Sequence, residues 1–114
     1  MAALTTQDIV AAGTKPTFAA ASTSDTAEVG NGVNTFAVYK NTDASTEAIT
    51  VVVPNNTTYG QPNPDVTLTI GASTGELWIP LRKEYEDSAV AGVGRCTITM
   101  ASATGITVAI VRMG

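Results

Sequence analysis

The sequence predicts an all-β fold, a compact antiparallel β-sandwich of six or seven short strands preceded by an extended N-terminal arm. From Thr35 onward, apolar residues alternate with polar or small ones in several short runs, which is the period of half-buried strands. Clusters of Gly, Pro, Asn and Ser separate the runs and are typical of turns between strands. At 114 residues the chain has the length of one domain. We therefore expect residues 1–16 to form the arm and residues 17–114 a single β-sandwich domain.

Six runs carry the strand prediction, and each has one apolar face, as the two layers of a sandwich require. Thr17 to Ala20 could add a seventh strand, whereas the small and polar stretch from Ala19 to Asn34, with its Gly30-Asn31-Gly32 turn signal, is predicted to be a loop. The apolar members of the six runs are Phe36 and Val38; Ile49, Val51 and Val53; Val66, Leu68 and Ile70; Leu77, Ile79 and Leu81; Cys96, Ile98 and Met100; and Ile106, Val108 and Ile110.

Several turn-forming clusters lie between the runs. We expect Gly71-Ala72-Ser73-Thr74-Gly75 and Ser102-Ala103-Thr104-Gly105 to close hairpins, and Gly92-Val93-Gly94-Arg95 to form a flexible hairpin. In the arm, a short helical turn could start at Thr6 or Asp8, but Gly13 and Pro16 would end it.

The charge pattern argues against a nucleic-acid partner. The net charge is −4 and only 14% of residues are charged, whereas neutralising phosphates requires clustered Lys and Arg. The basic residues here are instead scattered along the chain: Lys15, Lys40, Arg82, Lys83, Arg95 and Arg112. No apolar run approaches the ~20 residues of a membrane-spanning helix, and the N-terminal residues do not resemble a secretion signal. We therefore expect no nucleic acid, no membrane, and synthesis and use without Sec-type export.

Composition also argues against catalysis. The chain has no histidine, which removes the commonest general base and the Ser-His-Asp and Cys-His arrangements. Its one cysteine, Cys96, lies within an alternating strand, so we interpret it as a small buried hydrophobic residue. We expect no enzymatic activity, no cofactor and no metal.

The acidic cluster Glu84, Glu86 and Asp87 is the best candidate for a carboxylate pair or a cation site. Calcium needs about six to eight oxygen ligands, and the segment has neither the order nor the central glycine of a calcium loop. The favoured interpretation is a solvated loop whose carboxylates form salt links to Arg82, Lys83 or Arg95, or to a neighbouring subunit.

Five residues are candidate partner contacts. Strand alternation turns Trp78 outward if Leu77 and Ile79 face inward, where a large aromatic is normally covered by another chain or by the arm. Tyr59 lies in a loop stiffened by Pro62 and Pro64, which suits an interface anchor, although it could equally cover the end of the sandwich. In the arm, the apolar side chains available for docking are those of Leu4, Ile9 and Val10.

The order of these features resembles a family of small capsid decoration proteins, also called cement or minor capsid proteins, of tailed bacteriophages, especially those infecting actinobacteria. The likeness covers most of the chain but includes no catalytic signature. It is carried by Leu4-Thr5-Thr6-Gln7-Asp8-Ile9-Val10 with Gly13 and Pro16-Thr17-Phe18, by Gly30-Asn31-Gly32 before Phe36, by Trp78-Ile79-Pro80-Leu81 with Tyr85 following, and by the final Thr/Val/Ile strands.

The resemblance implies a structural virion protein made in the host bacterial cytoplasm. It would bind the outside of the capsid and bridge subunits of the major capsid protein, with self-association as a dimer or trimer. The alternatives are a small β-rich neck or tail protein of the same virion, a host-surface or carbohydrate-binding module, and a small enzyme acting through the acidic cluster. Binding to host cells or glycans would favour the module, and loss of an activity on substitution of Glu84 or Glu86 would favour the enzyme.

Overall fold

A computed structural model gives the arrangement of the chain over residues 2–30, 34–54, 59–61 and 64–113. Within these residues the fold is all-β, as the sequence predicts. The elements are β1 (Ala2–Ala3), β2 (Thr6–Ile9), β3 (Ala19–Ala20), β4 (Ser24–Glu28), β5 (Thr35–Asn41), β6 (Glu47–Val51), β7 (Val66–Ile70), β8 (Gly75–Pro80), a 3-10 turn (Lys83–Tyr85), β9 (Arg95–Met100) and β10 (Ile106–Met113).

The strands form two sheets that pack face to face as a sandwich. Sheet A has the order β1-β4-β9-β6-β7, and sheet B has the order β2-β10-β5-β8, with β3 pairing with β10 on the same side as β2. Among the described residues, the ladders of β1 with β4 and of β2 with β10 are parallel, and the other ladders are antiparallel.

The core lies between the two sheets and comes largely from the predicted alternation. Cys96, Ile98 and Met100 of sheet A face Ile106, Val108 and Ile110 of sheet B, and all six are buried. On β8, Leu77 and Ile79 face the core, as does Leu81 just after the strand. On β5 the predicted face is wrong, because Ala37 and Tyr39 face the core, whereas Phe36 and Val38 lie on the outer face beside Trp78. Val38 is nevertheless buried there.

Both predicted hairpins are wrong, because each turn joins strands in different sheets. Residues 71–75 lead from β7 in sheet A to β8 in sheet B, and residues 102–105 lead from β9 in sheet A to β10 in sheet B. The Gly92–Arg95 segment likewise precedes β9, which lies in the opposite sheet from β8. Turn residues show that the chain reverses, but they do not show which strand the returning chain will pair with.

The predicted loop from Ala19 to Asn34 is also wrong, because it contains β3 and β4. β4 pairs with β9 over five residues, and its central residues Asp25, Thr26 and Ala27 are all buried. Its sequence, Ser-Asp-Thr-Ala-Glu, has no large apolar residue, so no hydrophobic alternation marks it as a strand. The described residues therefore form ten strands rather than six or seven. Residues 31 and 32 of the Gly30-Asn31-Gly32 turn lie outside the described residues.

The N-terminal segment is paired with both sheets. Ala2 and Ala3 add to the edge of β4 in sheet A, and Thr6–Ile9 add to β10 in sheet B. The helical turn considered at Thr6 or Asp8 is therefore not formed. Between the two strands the chain crosses from one sheet to the other, and Leu4 packs against the core at that crossing. We call residues 2–9 the N-terminal strap.

The two ends of the sandwich differ in the length of their connections. At one end, the turn end, the links are short: residues 21–23, 42–46, 71–74 and 101–105. At the opposite end, the loop end, the links are residues 29–34, 52–65 and 81–94, and β2 and β10 also finish there.

Asn41 holds the turn end together. Its side chain is 1% exposed, and its amide nitrogen donates to the carbonyl oxygens of Ser45 at 2.9 Å and Gly71 at 3.0 Å. Its amide oxygen accepts from the backbone N–H of Asp43 at 3.0 Å. One buried side chain thus joins the link that follows β5 to the link that precedes β8. A side chain at Gly75 could not fit, because a Cβ there would overlap the carbonyl of Gly71.

We expect Asn41→Ala to lower the free energy of unfolding by about 3 kcal/mol, because it leaves buried backbone groups without partners. The measurement is the urea midpoint at unchanged m-value. Thr46→Ala, at an exposed position of the same link, is the control and should change stability by less than about 0.5 kcal/mol. Equal effects of the two variants would contradict this role for Asn41.

Candidate interaction surfaces

Exposed large apolar side chains concentrate at the loop end. Among the described residues, six such side chains are exposed, and five of them lie at this end. They are Tyr59 at 91%, Val93 at 85%, Met113 at 62%, Val90 at 60% and Val10 at 55%, with Trp78 at 54% lying apart on the face of sheet B. Val10 and Met113 come close because Ile9 and Met113 are partners in the parallel ladder of β2 and β10.

The segment that carries Val90 and Val93 is held by the acidic residues singled out in the sequence. The main-chain oxygen of Asp87 accepts from the N–H groups of Ala91 at 2.7 Å and Gly92 at 3.2 Å. The Glu86 carboxylate accepts from the N–H of Gly94 at 2.8 Å. The hydroxyl of Thr97 donates to the buried Asp87 carboxylate at 3.3 Å. The two carboxylates therefore brace a loop that presents apolar side chains to solvent.

The salt links expected for this cluster are not formed among the described residues. The ion pairs that do form among the described residues lie outside the cluster and join Arg112 to Asp8 at 3.0 Å and to Glu28 at 3.9 Å. Arg95 is turned away from the cluster and donates instead to the backbone oxygens of Leu4 and Thr26. No group of three His, Cys, Asp or Glu residues in the described part of the chain is placed to hold a metal ion.

Tyr59 projects from the long link between β6 and β7. The base of this link is closed by a hydrogen bond from the N–H of Val53 to the Asp65 carboxylate at 2.9 Å. At 91% exposure the ring is not packed as a cover on the end of the sandwich. Residues 57, 58, 62 and 63 of the predicted stiff loop lie outside the described residues.

Trp78 faces outward on β8, as alternation predicts. Its indole N–H donates to the Glu76 carboxylate at 2.9 Å, and its ring meets Phe36 edge-on, with centroids 6.4 Å apart and planes inclined by 61°. The two rings therefore form an angled pair rather than a flat platform.

The rest of this outer face is covered by the chain itself. Beside Trp78, β5 and β10 place Val38 and Ala109 in the same row, and these residues are 2% and 3% exposed. The Phe18 ring lies 4.5 Å from the Lys40 ammonium on the same face. The Gln7 side-chain amide holds the neighbouring residue Thr17, and so positions Phe18, through two 2.8 Å hydrogen bonds with the Thr17 backbone. Trp78 remains half exposed at the edge of the cover.

The opposite face of the molecule is polar. On the outer side of sheet A, the ladders place Ser24, Thr99, Thr50 and Thr67 side by side across four strands. The hydroxyls of Thr50 and Thr67 are 3.3 Å apart. The two broad faces of the sandwich therefore differ in chemistry, since one is lined by hydroxyls and the other carries aromatic rings.

The structure separates the five predicted contact residues. Val10 and Tyr59 lie at the same end, Trp78 lies on the face of sheet B, Ile9 is half-buried and Leu4 packs into the core. Sequence reasoning did not single out Val90, Val93 or Met113. The signal was present for the first two, because they are apolar residues in a glycine-rich link that has no alternating pattern and so no predicted core-facing side.

The buried titratable groups are poorly suited to act as nucleophiles. Burial raises the pKa of the Cys96 thiol to about 11, so it stays protonated near neutral pH. Burial, together with the nearby Asp25 carboxylate, also raises the pKa of Tyr39 above its usual range. Its hydroxyl is the one buried side-chain polar atom without a hydrogen-bond partner in the described part of the structure.

Two shallow clefts accompany these features. A cleft of about 340 Å³ lies between the strap and the body, lined by Leu4, Gln7, Thr17, Ala19 and Val108 among others. A second, more polar cleft is lined by Glu28, Gly94, Arg95 and Arg112 among others, and both arginines already bond to groups of this chain.

Comparison with protein-family models, with curated proteins and with solved structures gives no match for this chain. No helix among the described residues is long and apolar enough to cross a bilayer.

We expect the Cys96 thiol to be protected from alkylation until the protein unfolds. At pH 8 a pKa of about 11 instead of 9.0 makes the thiolate fraction roughly a hundredfold smaller, and burial further slows the reagent. Iodoacetamide labelling followed by mass spectrometry, in buffer and in 8 M urea, measures the difference. Comparable rates in the two solvents would contradict the burial of Cys96.

The raised pKa values of Cys96 and Tyr39 also predict alkaline destabilisation. Since the unfolded thiol loses its proton near pH 9 and the folded thiol only near pH 11, this contribution is fully present below pH 9 and is lost as the pH rises towards 11. Tyr39 acts in the same direction from about pH 10 upward. Urea unfolding between pH 7 and 10.5 should show a falling midpoint above pH 9, and a flat profile would be inconsistent with these shifts.

Proposed function

We propose that this chain is a structural virion protein of a tailed bacteriophage that binds the outside of the capsid. There it bridges neighbouring subunits of the major capsid protein and stabilises the expanded shell. The observation that carries the proposal is the loop end, where five exposed apolar side chains lie, three of them on links that are braced by hydrogen bonds. Adjoining exposed apolar side chains mark interaction sites, and Val10 and Met113 adjoin here because Ile9 pairs with Met113.

The sequence resemblance supports the same role and falls on particular parts of the fold. The resembling segment Leu4–Val10 contains β2, and Trp78–Leu81 contains the end of β8. These are the two edge strands of sheet B. The segments that suggest decoration proteins therefore frame the face that carries Trp78 and Phe36, and one of them ends with Val10 at the loop end.

The shape of the molecule suits attachment to a shell. Its principal extents are 41 × 36 × 20 Å, so it is a plate with two broad faces. The outer side of sheet A is lined by hydroxyls, whereas the edge of sheet B carries the half-exposed Trp78 beside Phe36, so the plate offers an aromatic edge to a partner on one side only. In the proposed arrangement the loop end and the Trp78 edge contact the capsid, and the face of sheet A points to solvent.

Stabilisation of the shell follows from linkage. A ligand that binds the assembled shell and not its separate subunits stabilises the assembly by mass action. Each copy needs to contribute only a small amount, because an icosahedral shell offers the same site many times. A bridging protein adds buried area at the joints between subunits, where the pressure of packaged DNA acts.

We expect purified protein to bind expanded heads that lack it in a fixed number of copies per capsid subunit and to raise the temperature at which they rupture. Binding is measured by sedimentation with quantitative gel analysis, and rupture by release of DNA on heating. Recovery of the protein with tails, or binding to heads without a rise in rupture temperature, would overturn the capsid role in favour of a neck or tail protein. Binding to host cells or glycans in place of heads would favour a host-surface module.

Tyr59→Ala and Trp78→Ala should each weaken head binding by ~1 to 4 kcal/mol, the range for aromatic anchors at interfaces. Tyr59 is 91% exposed, so its variant should unfold at the wild-type urea midpoint, whereas the Trp78 variant loses the contact with Phe36 and should be destabilised by no more than about 1.5 kcal/mol. Thr69→Ala, exposed on the outer face of sheet A, is the matched control and should bind as the wild type does. Loss of binding in the control but not in the aromatic variants would reverse the proposed orientation.

A further inference from the structure

The N-terminal strap differs from every other described strand in how it is attached. Among the ladders of the described residues its two are the parallel ones, and each sits at the edge of a sheet. A parallel pair is slightly less stable per residue than an antiparallel pair. β1 and β2 are also short, with two and four residues. Their attachment therefore depends strongly on side-chain contacts.

Those contacts are polar and come from three strands of the body. Arg95 on β9 donates to the backbone oxygen of Leu4 at 3.3 Å. The Thr6 hydroxyl donates to the Glu28 carboxylate on β4 at 2.7 Å, and Arg112 on β10 pairs with Asp8 at 3.0 Å. The body thus presents a complete receiving site for the strap, built from β4, β9 and β10.

The strap is not packed against the body along its whole length. Leu4 is its main apolar anchor in the core, and the cleft of about 340 Å³ separates part of the strap from Thr17, Ala19 and β10. The chain that follows, residues 10–18, is largely exposed. Few buried contacts and a partly solvated connection are the properties of a segment that opens locally while the rest of a protein stays folded.

When the strap opens, it leaves two unpaired strand edges, on β4 and β10. Open edges readily accept another strand, and the segment whose side chains match this receiving site is the strap of another copy. Residues 10–18 can span roughly 30 Å when extended, which exceeds the 20 Å thickness of the molecule. Exchange of an identical element between copies needs no new contacts and is a common route to self-association.

We infer that the N-terminal strap exchanges between copies, so that residues 2–9 of one chain pair with β4 and β10 of a neighbour. The partner is a second copy of this chain, and the contacts are those that close the strap within one copy. Links of this kind join copies directly to one another and do not depend on the capsid role. They can therefore be tested on the purified protein alone.

The test uses the ladder partners Ile9 and Met113. Ile9→Cys and Met113→Cys are made in separate chains, one of them isotopically labelled, mixed at high concentration and oxidised after increasing times. Paired residues on adjacent strands lie close enough for a disulfide, and the buried Cys96 does not compete. Exchange should give a disulfide between a labelled and an unlabelled chain whose yield grows with the time of mixing.

Random collisions are controlled by a mismatched mixture of Ile9→Cys with Thr69→Cys, since Thr69 is exposed on the outer face of sheet A. The matched mixture should exceed this control at least fivefold, and adding Arg112→Ala to the labelled and unlabelled chains should speed the exchange. Equal yields in the two mixtures would overturn the inference. So would failure of the Ile9→Cys, Met113→Cys double variant to form a disulfide within one chain, because the register would then be different.

Discussion

The buried amide of Asn41 is the interaction on which the arrangement of the sandwich depends. Asn41 is the ladder partner of Gly75 on β8 and of Ile106 on β10. Both neighbours of β5 in sheet B are therefore paired with this residue. Its hydrogen bonds also fix the links on either side of the β6–β7 pair in sheet A. One side chain therefore sets how the two sheets are joined at the turn end.

Because the links at the turn end are fixed in this way, the links at the loop end can be long without disrupting the core. The short links leave little backbone exposed and are bonded to one another, as between Thr42 and Gly105 at 2.9 Å. The loop end instead has long links that are braced locally by Glu86, Asp87 and Asp65. Binding surfaces usually lie on loops carried by a rigid scaffold, and this difference between the two ends is the reason for proposing the partner surface at the loop end.

The sequence predicts the strands that carry large apolar residues, and on most of them it predicts the side that faces the core. The exception is β5, where Ala37 and Tyr39 face the core and the predicted pair Phe36 and Val38 faces outward. Alternation places Ile98 inside and Trp78 outside, and both placements are confirmed. It fails at β4, where burial of Asp25 is made possible by hydrogen bonds from the hydroxyl and backbone N–H of Ser22. A strand held by such contacts has no hydrophobic period, so periodicity cannot detect it.

The pairing of strands is harder to predict than their existence. The turns at 71–75 and 102–105 have the composition of hairpin turns, yet the chain passes to the other sheet at both. Which sheet receives the returning strand depends on Asn41 and on the close approach of Gly105 to Asp43, and these contacts exist only in the folded molecule. The exposure of Val90 and Val93 is indicated by a link without alternation, but the way in which the main-chain oxygen of Asp87 folds that link is seen only in the structure.

The N-terminal residues are an integral part of the sandwich, and in the proposed exchange the same segment would join two copies. Leu4 and the ladders of β1 and β2 make the strap part of the sandwich, whereas its polar anchors Glu28, Arg95 and Arg112 belong to the body and are present in every copy. A segment attached in this way stabilises its own domain when closed and can join two domains when exchanged, at little difference in contact energy. The balance between the two states is then set by the local concentration of copies, which is highest where many copies are held side by side on one surface. A protein that is weakly associated in solution can therefore become linked once it is arrayed.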